Sequence, residues 1–223
     1  MNVPIVSIII PVLNEEDQIG SLLKRLPDSI EIIVVDGGST DSTIEFASSH
    51  GCRVITNAKG RALQMNAGAK AASGDVLVFL HADCLLPRGF LHELELFWFS
   101  ERVWGRFDVK IDNHRIIFRV IEMMINLRSR LTGTCTGDQA IFVQRSAFEC
   151  VEGFPAIALM EDIELSKHLK KISKPYAVMN PVQTSARRWL KDGILRTILL
   201  MWRLRLAYFF GASPEKLVQQ YYK

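Results

Sequence analysis

Apolar residues in the first third of this chain come in short unbroken runs, separated by stretches with helical spacing. Residues 6–10 are β-branched apart from Ser7, which predicts a strand buried on both faces, closed by Pro11. Asn14-Glu15-Glu16-Asp17 then opens a helix to about residue 26, with Ile19, Leu22, Leu23 and Leu26 on one face. Asn14 is its expected N-cap, and the acids suit the positive end of the helix. A second strand over 31–35 ends in Asp36-Gly37-Gly38-Ser39-Thr40-Asp41. Its glycines predict a sharp turn, and Thr40 or Asp41 is the expected cap of a helix to about residue 49. A third strand covers 53–56, and Lys59-Gly60-Arg61 leads into a helix over 62–72. Gly74-Asp75 turns the chain into the run Val76-Leu77-Val78-Phe79-Leu80, which stops at His81-Ala82-Asp83. Strand–helix alternation of this kind predicts a doubly wound, mostly parallel α/β sheet with right-handed crossovers.

The pattern changes after residue 86. Residues 90–99 read as an apolar helix and 104–111 as a strand, expected to be antiparallel. A helix over 116–131 carries Arg115, Arg119, Arg128 and Arg130 along it. Gly137-Asp138-Gln139 precedes a strand over 140–144, and Gly153-Phe154-Pro155 is a turn. Met160-Glu161-Asp162 opens a helix to about 171, followed by a late strand over 176–179. The remainder is helical and basic-aromatic. Its Ile194, Leu195, Ile198, Leu199, Trp202, Leu206, Phe209 and Phe210 suit a core-facing helix, a homodimer contact or a helix lying on a membrane, with packing ranked ahead of membrane.

Composition narrows the classes. The chain has 223 residues, 48% hydrophobic and 23% charged, enough for one domain with a substantial core. A net charge of +3 gives no electrostatic footprint for nucleic acid. Cys52, Cys84, Cys135 and Cys150 show no zinc spacing, so free thiols in a reducing cytoplasm are expected. Residues 5–11 lack a basic leader, so no secretory signal is expected. No run reaches about 18 uninterrupted apolar residues, and 194–210 is broken by Arg196, Arg203 and Arg205. The expected location is cytoplasmic, with the inner face of the membrane as a peripheral option.

In an open α/β sheet the ligand crevice lies outside the carboxyl ends of the strands. Here it would collect residues 11–15, 36–40, Gly60-Arg61 and 81–83. Neither a G-x-G-x-x-G fingerprint nor a P-loop is present, which argues against dehydrogenases and P-loop kinases.

Taken in order, five short motifs resemble the family 2 glycosyltransferases of GT-A fold. They are Ile8-Ile9-Ile10-Pro11-Val12-Leu13-Asn14-Glu15, Val34-Val35-Asp36-Gly37-Gly38-Ser39-Thr40-Asp41, the Gly60-Arg61 to Ser73-Gly74-Asp75 segment, His81-Ala82-Asp83 and Glu161-Asp162. The resemblance covers about residues 5–189, with an antiparallel acceptor-side extension and C-terminal helices completing the fold. Gly37 stands where many members carry a second aspartate, and His81 replaces the first acid of Asp-x-Asp. Gly105-Arg106-Phe107, Gly137-Asp138-Gln139-Ala140-Ile141-Phe142 and Trp202-Arg203-Leu204-Arg205 further resemble the radical-SAM/selenodomain-associated subgroup.

The resemblance implies an inverting transferase with a nucleotide-sugar donor, a divalent cation (Mn2+ or Mg2+) and an unidentified acceptor, a lipid among the options. It implies residues 1–86 as the nucleotide-sugar-binding half, 87–190 as the acceptor-side and catalytic half of the same domain, and 191–223 as a helical segment. On the donor side stand Pro11, Asn14, Glu15, Asp36, Arg61, His81, Asp83, Arg187 and Arg188. Asp36 would contact base or ribose, or cap the next helix. Arg61 would hold phosphate, or be a solvated surface arginine. Asp83 is the expected metal ligand. Imidazole suits manganese better than magnesium, so His81 is a ligand, a donor to ribose or acceptor, or a core histidine. Arg187 and Arg188 would clamp the diphosphate with Trp189 as an acceptor wall, or form a basic surface turn. Asp138 and Gln139 would line the acceptor side, with Asp138 equally suited to a turn. Asp162 is the expected general base, with Glu161 orienting it or touching the acceptor. A sugar nucleotidyltransferase would want a Gly-rich basic loop where Pro11-Val12-Leu13-Asn14-Glu15 stands, and a non-catalytic nucleotide-sugar-binding protein is the third reading.

Overall fold

The computed structural model describes residues 3–221. One mixed sheet runs through it. The strands are β1 Val6–Val12, β2 Glu31–Asp36, β3 Arg53–Thr56, β4 Val76–Phe79, β5 Cys84–Leu85, β6 Trp104–Asp112, β7 Ile141–Gln144 and β8 Tyr176–Ser185. They lie in the order β3-β2-β1-β4-β7-β6-β8-β5. The first four in that order are mutually parallel, as the strand–helix alternation predicts. β7 then pairs antiparallel with β4 and with β6. The expected antiparallel β6 is half right, because on its other side it runs parallel to β8.

The connections are α1 Glu16–Leu23, α2 Thr43–Ser49, α3 Arg61–Ala71, α4 Phe90–Trp98, α5 Ile116–Thr132, α6 Arg145–Cys150, α7 Glu161–Lys170, α8 Arg187–Asp192, α9 Ile194–Phe209 and α10 Pro214–Tyr221, with a 3-10 turn at Gly137–Gln139. Because successive strand residues face opposite ways, β1 feeds two cores. Ile8 and Ile10 join Leu22, Val78, Phe97, Phe107 and Phe118 on one face. Ile9 joins Val35, Phe79, Met65, Leu165 and Leu169 on the other. That two-sided burial is why the run is apolar without alternation.

Several boundaries differ from the sequence pattern, each for a local reason. Pro11 lies inside β1, not at its end. The pairing with β4 stops at Ile9↔Phe79, so at Pro11 the strand is bonded only to β2 and tolerates a missing N–H. The late strand runs on through Pro181 to Ser185. Its register with β6 slips between Phe107↔Val178 and Val109↔Val182, and Pro181 falls in the residues bulged out there. β5 and α6 have no expected counterpart.

Of the options for the C-terminal helix, the core-facing one does not hold. Only Thr197 and Leu204 of α9 are buried, while Leu195, Leu199, Trp202, Leu206 and Phe209 are exposed, Phe209 by 81%. At a period of about 3.6 residues these five fall opposite the buried stripe, so the helix is not core-facing along its apolar face. α5 does the same, with Ile116, Val120, Met123, Leu127 and Leu131 outward. The inner edge of α9 is nevertheless anchored: Leu204, Leu217 of α10 and Met160 form a small cluster at the start of α7.

The tightest helix–sheet approach is at Gly68 of α3. A Cβ there would lie 2.3 Å from Ile9 Cγ2 and 2.9 Å from Val35 Cγ2. Both partners are fully buried β-branched side chains on a central strand pair, with nowhere to retreat. We expect Gly68→Ala to destabilise the fold by about 1–3 kcal/mol despite the better helix propensity of alanine. Urea unfolding checks this; an unchanged or raised midpoint would mean that α3 slides outward freely.

Candidate active site

The carboxyl ends of β1, β2 and β4 open on one edge, and side chains lock their loops together. Gln64, buried under α3, donates from Nε2 to the carbonyls of Val12 (2.9 Å) and Val35 (2.8 Å), tying the ends of β1 and β2. Asn14 is not a helix cap. It adopts φ 55°, accepts the Thr40 N–H on Oδ1 at 2.8 Å and donates its own N–H to Ser39 Oγ at 2.9 Å. Its amide therefore staples the β1 loop to the β2 loop. The buried Asp36 carboxylate closes the turn, accepting the N–H groups of Gly38 (2.9 Å) and Ser39 (3.0 Å). The start of α2 is held by Asp41, which accepts the Thr43 N–H at 3.1 Å.

Four charged groups share the crevice so formed. Arg187 reaches Glu15 across the fold, Nη2 to Oε2 at 3.4 Å. Burial raises the Glu15 pKa first and the charge of Asp83 raises it further, while Arg187 and Arg61 pull it down. Arg61, first residue of α3, also stands 3.9 Å from Glu161.

The end of β4 delivers His81, Asp83 and Cys84, with donor atoms all within 4.8 Å of one another. The Cys84 thiol is held well above its usual pKa by burial, then by Asp83, and it points weakly at Asp83 and Thr184. It is a protonated neighbour rather than a ready ligand. His81 is kept neutral, its pKa pushed well below the usual value by burial and then by Arg61. Its Nε2 is buried without a partner among the described residues. A carboxylate oxygen beside an uncharged imidazole with an unspent nitrogen fits a divalent cation that tolerates mixed O/N donors.

The His81 ring lies against Gly137, where a Cβ would come within 2.5 Å of Cε1 and Nε2. Gly137 in turn donates its N–H to Asp162 Oδ2 at 2.8 Å, and the Ile163 N–H donates to Oδ1 at 2.7 Å. Glu161 and Asp162 begin α7 and border a small pocket with His81, Arg61, Phe79 and Phe154. In this apolar corner burial outweighs the helix end. Glu161 is pushed up to about 7, by burial and then by Asp162. Asp162 is also raised by burial, and the Gly137 and Ile163 N–H groups limit the rise.

Three sequence candidates are spent elsewhere. Arg188 lies over the Tyr221 ring at 3.7 Å and pairs with Asp192 at 3.7 Å, so it braces the C-terminal helices, and of the two adjacent arginines Arg187 is the one that reaches Glu15. Gln139 is fully buried and forms a capping box with Thr136. Trp189 packs edge-on to Phe118 at 6.4 Å and joins the core. Asp138 stays near the pocket, its Oδ1 buried and without a partner among the described residues.

Residues 7–150 match the family described as Glycosyl transferase family 2. The chain belongs to that family. Within it, an uncharacterized glycosyltransferase of Mycobacterium tuberculosis is 33% identical over 104 residues, 45% of this chain and 48% of that protein. This chain thus spans about half the length of the curated relatives it matches first. Among solved structures, Staphylococcus aureus TarS superposes with a TM-score of 0.69 at 19% identity, over 82% of this chain and 60% of that one. The mannosyltransferase PcManGT of Pyrobaculum calidifontis, in complex with GDP-Man and Mn2+, gives 0.63 at 20% identity, over 99% and 69%. These likenesses show the fold, the GT-A architecture expected of this glycosyltransferase family. The acidic pair at the start of α7 lies beyond the residues matched to the family.

Sequence reasoning missed Gln64, which reads as one polar residue in a helix, and Cys84, hidden behind Asp83. It also missed an inner chain in which Asp108 bridges Arg106 and Arg130. Alternation along β6 places Arg106 and Asp108 on one face, a signal that could have paired them.

The raised Glu161 pKa carries a pH signature. Between the usual value of 4.5 and about 7 the folded state keeps a proton that the unfolded chain has released. Stability therefore falls as pH rises through that window. Glu161→Gln holds no such proton. Relative to wild type it should gain on the order of 2–3 kcal/mol between pH 4.5 and 8. Denaturant unfolding at both pH values measures it, and parallel curves for the two proteins would contradict the buried-pair account.

Proposed function

We propose that this glycosyltransferase family member is an inverting enzyme that moves a sugar from a nucleoside diphosphate sugar to an acceptor hydroxyl, with Asp162 as general base. The observation that carries the reading is the fixed Asp162 carboxylate, held by the Gly137 N–H in a pocket that His81 and Arg61 also border. The base thus stands next to the groups suited to the donor's phosphates.

Asp83 and His81 would hold a divalent cation, which when bound offsets the charge of the departing diphosphate. Manganese suits the pair better than magnesium, because magnesium demands oxygen ligands. Arg61 and Arg187 add guanidinium donors on the same side. Asp36, already committed to two turn N–H groups, keeps unused lone pairs that suit a base N–H or ribose hydroxyl. The displacement is a single step. The acceptor O–H proton passes to Asp162, the acceptor oxygen bonds to the anomeric carbon, and the bond from that carbon to the phosphate oxygen breaks. Glu161 sits beside it, held by Arg61, where it tunes the proton affinity of the pair.

Motif residues 105–107, 137–142 and 202–205 support placement in the radical-SAM/selenodomain-associated subgroup. A nucleotidyltransferase is disfavoured because Glu15, an acid, occupies the loop that would need to grip a triphosphate. A purely binding role does not account for a buried carboxylate pair with raised proton affinity at the end of the crevice. A lipid acceptor and a peripheral membrane site fit the outward apolar faces of α5 and α9, and a second copy of the chain fits them as well.

Asp162→Asn should bind the nucleotide nearly as wild type while transfer falls by about 10²–10⁴. Turnover with a sugar-nucleotide panel and Mn2+, beside calorimetric nucleotide binding, reads both. Wild-type turnover by Asp162→Asn, with loss in Glu161→Gln, would exchange the two roles.

A further inference from the structure

Arg128 is a poorly satisfied charged side chain near the candidate base. It projects from α5 with Nε and Nη2 buried and without a hydrogen-bond partner among the described residues. Desolvating a guanidinium and leaving two of its N–H groups unspent is costly, and a fold normally supplies a carboxylate in return. Carboxylates are near: Asp138 and Asp162 both act on Arg128 electrostatically. Yet Asp162 is committed to the Gly137 and Ile163 N–H groups, and the Asp138 Oδ1 is itself buried with no partner among the described residues. Opposite charges thus feel one another here without forming a bond.

A second guanidinium makes the corner more electropositive. Arg205 of α9 opposes the charge on Arg128, and with burial as the larger cause the Arg128 pKa falls to about 10. Arg106 is buried as well, with Nη1 on Asp108 but Nε and Nη2 without a hydrogen-bond partner among the described residues. Asp108 cannot neutralise it alone, because it also binds Arg130. Arg106, Arg128 and Asp162 all act on the buried Cys135, so the three share one neighbourhood.

We propose that Arg128 and Arg205, backed by Arg106, form a binding subsite for an anionic group of the acceptor, a phosphate or a carboxylate, on the Asp162 side of the crevice. This rests on the reading of Asp162 as the base: the anion anchors the acceptor, and a neighbouring hydroxyl of the same molecule reaches the carboxylate. Planar guanidinium forks suit such oxyanions in two-pronged contacts. The anion has two sources, a small phosphorylated molecule or a lipid headgroup presented along the outward faces of α5 and α9.

The test uses the full chain and three probes. Calorimetry with glycerol 3-phosphate, against uncharged glycerol, reads the soluble source. Co-sedimentation with phosphatidylcholine vesicles, with and without phosphatidic acid, reads the lipid source. Nucleoside diphosphate with Mn2+ reads the donor side separately. The expected result is that wild type binds glycerol 3-phosphate or the phosphatidate vesicles, but neither uncharged control. Arg128→Gln should weaken that binding by about tenfold or more. Its nucleotide affinity should stay unchanged, and its melting midpoint should not fall, because a buried unpaired charge has been removed. Binding of glycerol 3-phosphate assigns a soluble acceptor, and binding of phosphatidate alone assigns a lipid one. If wild type binds neither anionic probe, or Arg128→Gln binds as tightly as wild type, the subsite is overturned. Loss of nucleotide binding in wild type with the anion binding intact would sink the donor reading instead.

Discussion

The hydrogen bond from the Gly137 N–H to Asp162 Oδ2 is the constraint on which the site depends. It joins the 3-10 turn before β7 to the first turn of α7. It also fixes His81, whose ring fills the space that a Cβ on Gly137 would need. The end of β4, the turn and the helix start are therefore tied together by direct contact. The same bond is one of two that keep Asp162 able to ionise in an apolar pocket. Without it the carboxylate would keep only the Ile163 N–H and the charges of Arg205 and Arg61 against burial, which favours the proton.

Around that unit the parallel half of the sheet acts as a frame. Gln64 and the Asn14–Thr40 staple bind the ends of β1 and β2 together, and Gly68 lets α3 lie close enough for Gln64 to reach both carbonyls. The crevice then gathers charges from far apart in the chain. Glu15, Arg61, Asp83 and Arg187 come from four different connections, and the other three all act on the proton affinity of Glu15. The C-terminal helices contribute less through bulk than through placement. Met160, Leu204 and Leu217 pack at the start of α7, and Tyr208 donates to Glu164 at 2.6 Å, so α9 braces the helix that carries the acidic pair.

The parallel half was legible because its strands are buried on both faces, which leaves apolar runs at 8–10, 32–35 and 76–80 with little ambiguity. Its crevice residues were legible because strand ends in such a sheet converge by topology alone. Side-chain partnerships were not. Asn14 looks like a cap because Asn before an acidic helix start usually is one, but a left-handed backbone turns its amide toward Thr40 instead. Arg188 and Gln139 carry the right chemistry one residue away from residues that do reach the site, and local sequence does not say which of two neighbours turns inward. The core-facing option for α9 failed because an apolar stripe with helical spacing gives a direction but no partner. The buried arginines of β6 and α5 were hidden for a similar reason, since charge in sequence usually reads as surface.

The central claim is that the edge formed by β1, β2 and β4 is a nucleotide site completed by a divalent cation on Asp83 and His81. The most direct measurement is calorimetric titration of UDP and GDP into the wild-type chain and Asp83→Ala, with Mn2+ and with chelator. The account predicts binding of at least one nucleotide with Mn2+, much weaker with chelator, and the same weak binding in Asp83→Ala under both conditions. Equal affinity with and without the metal, unchanged in Asp83→Ala, would contradict it and leave Arg61 and Arg187 to hold the diphosphate.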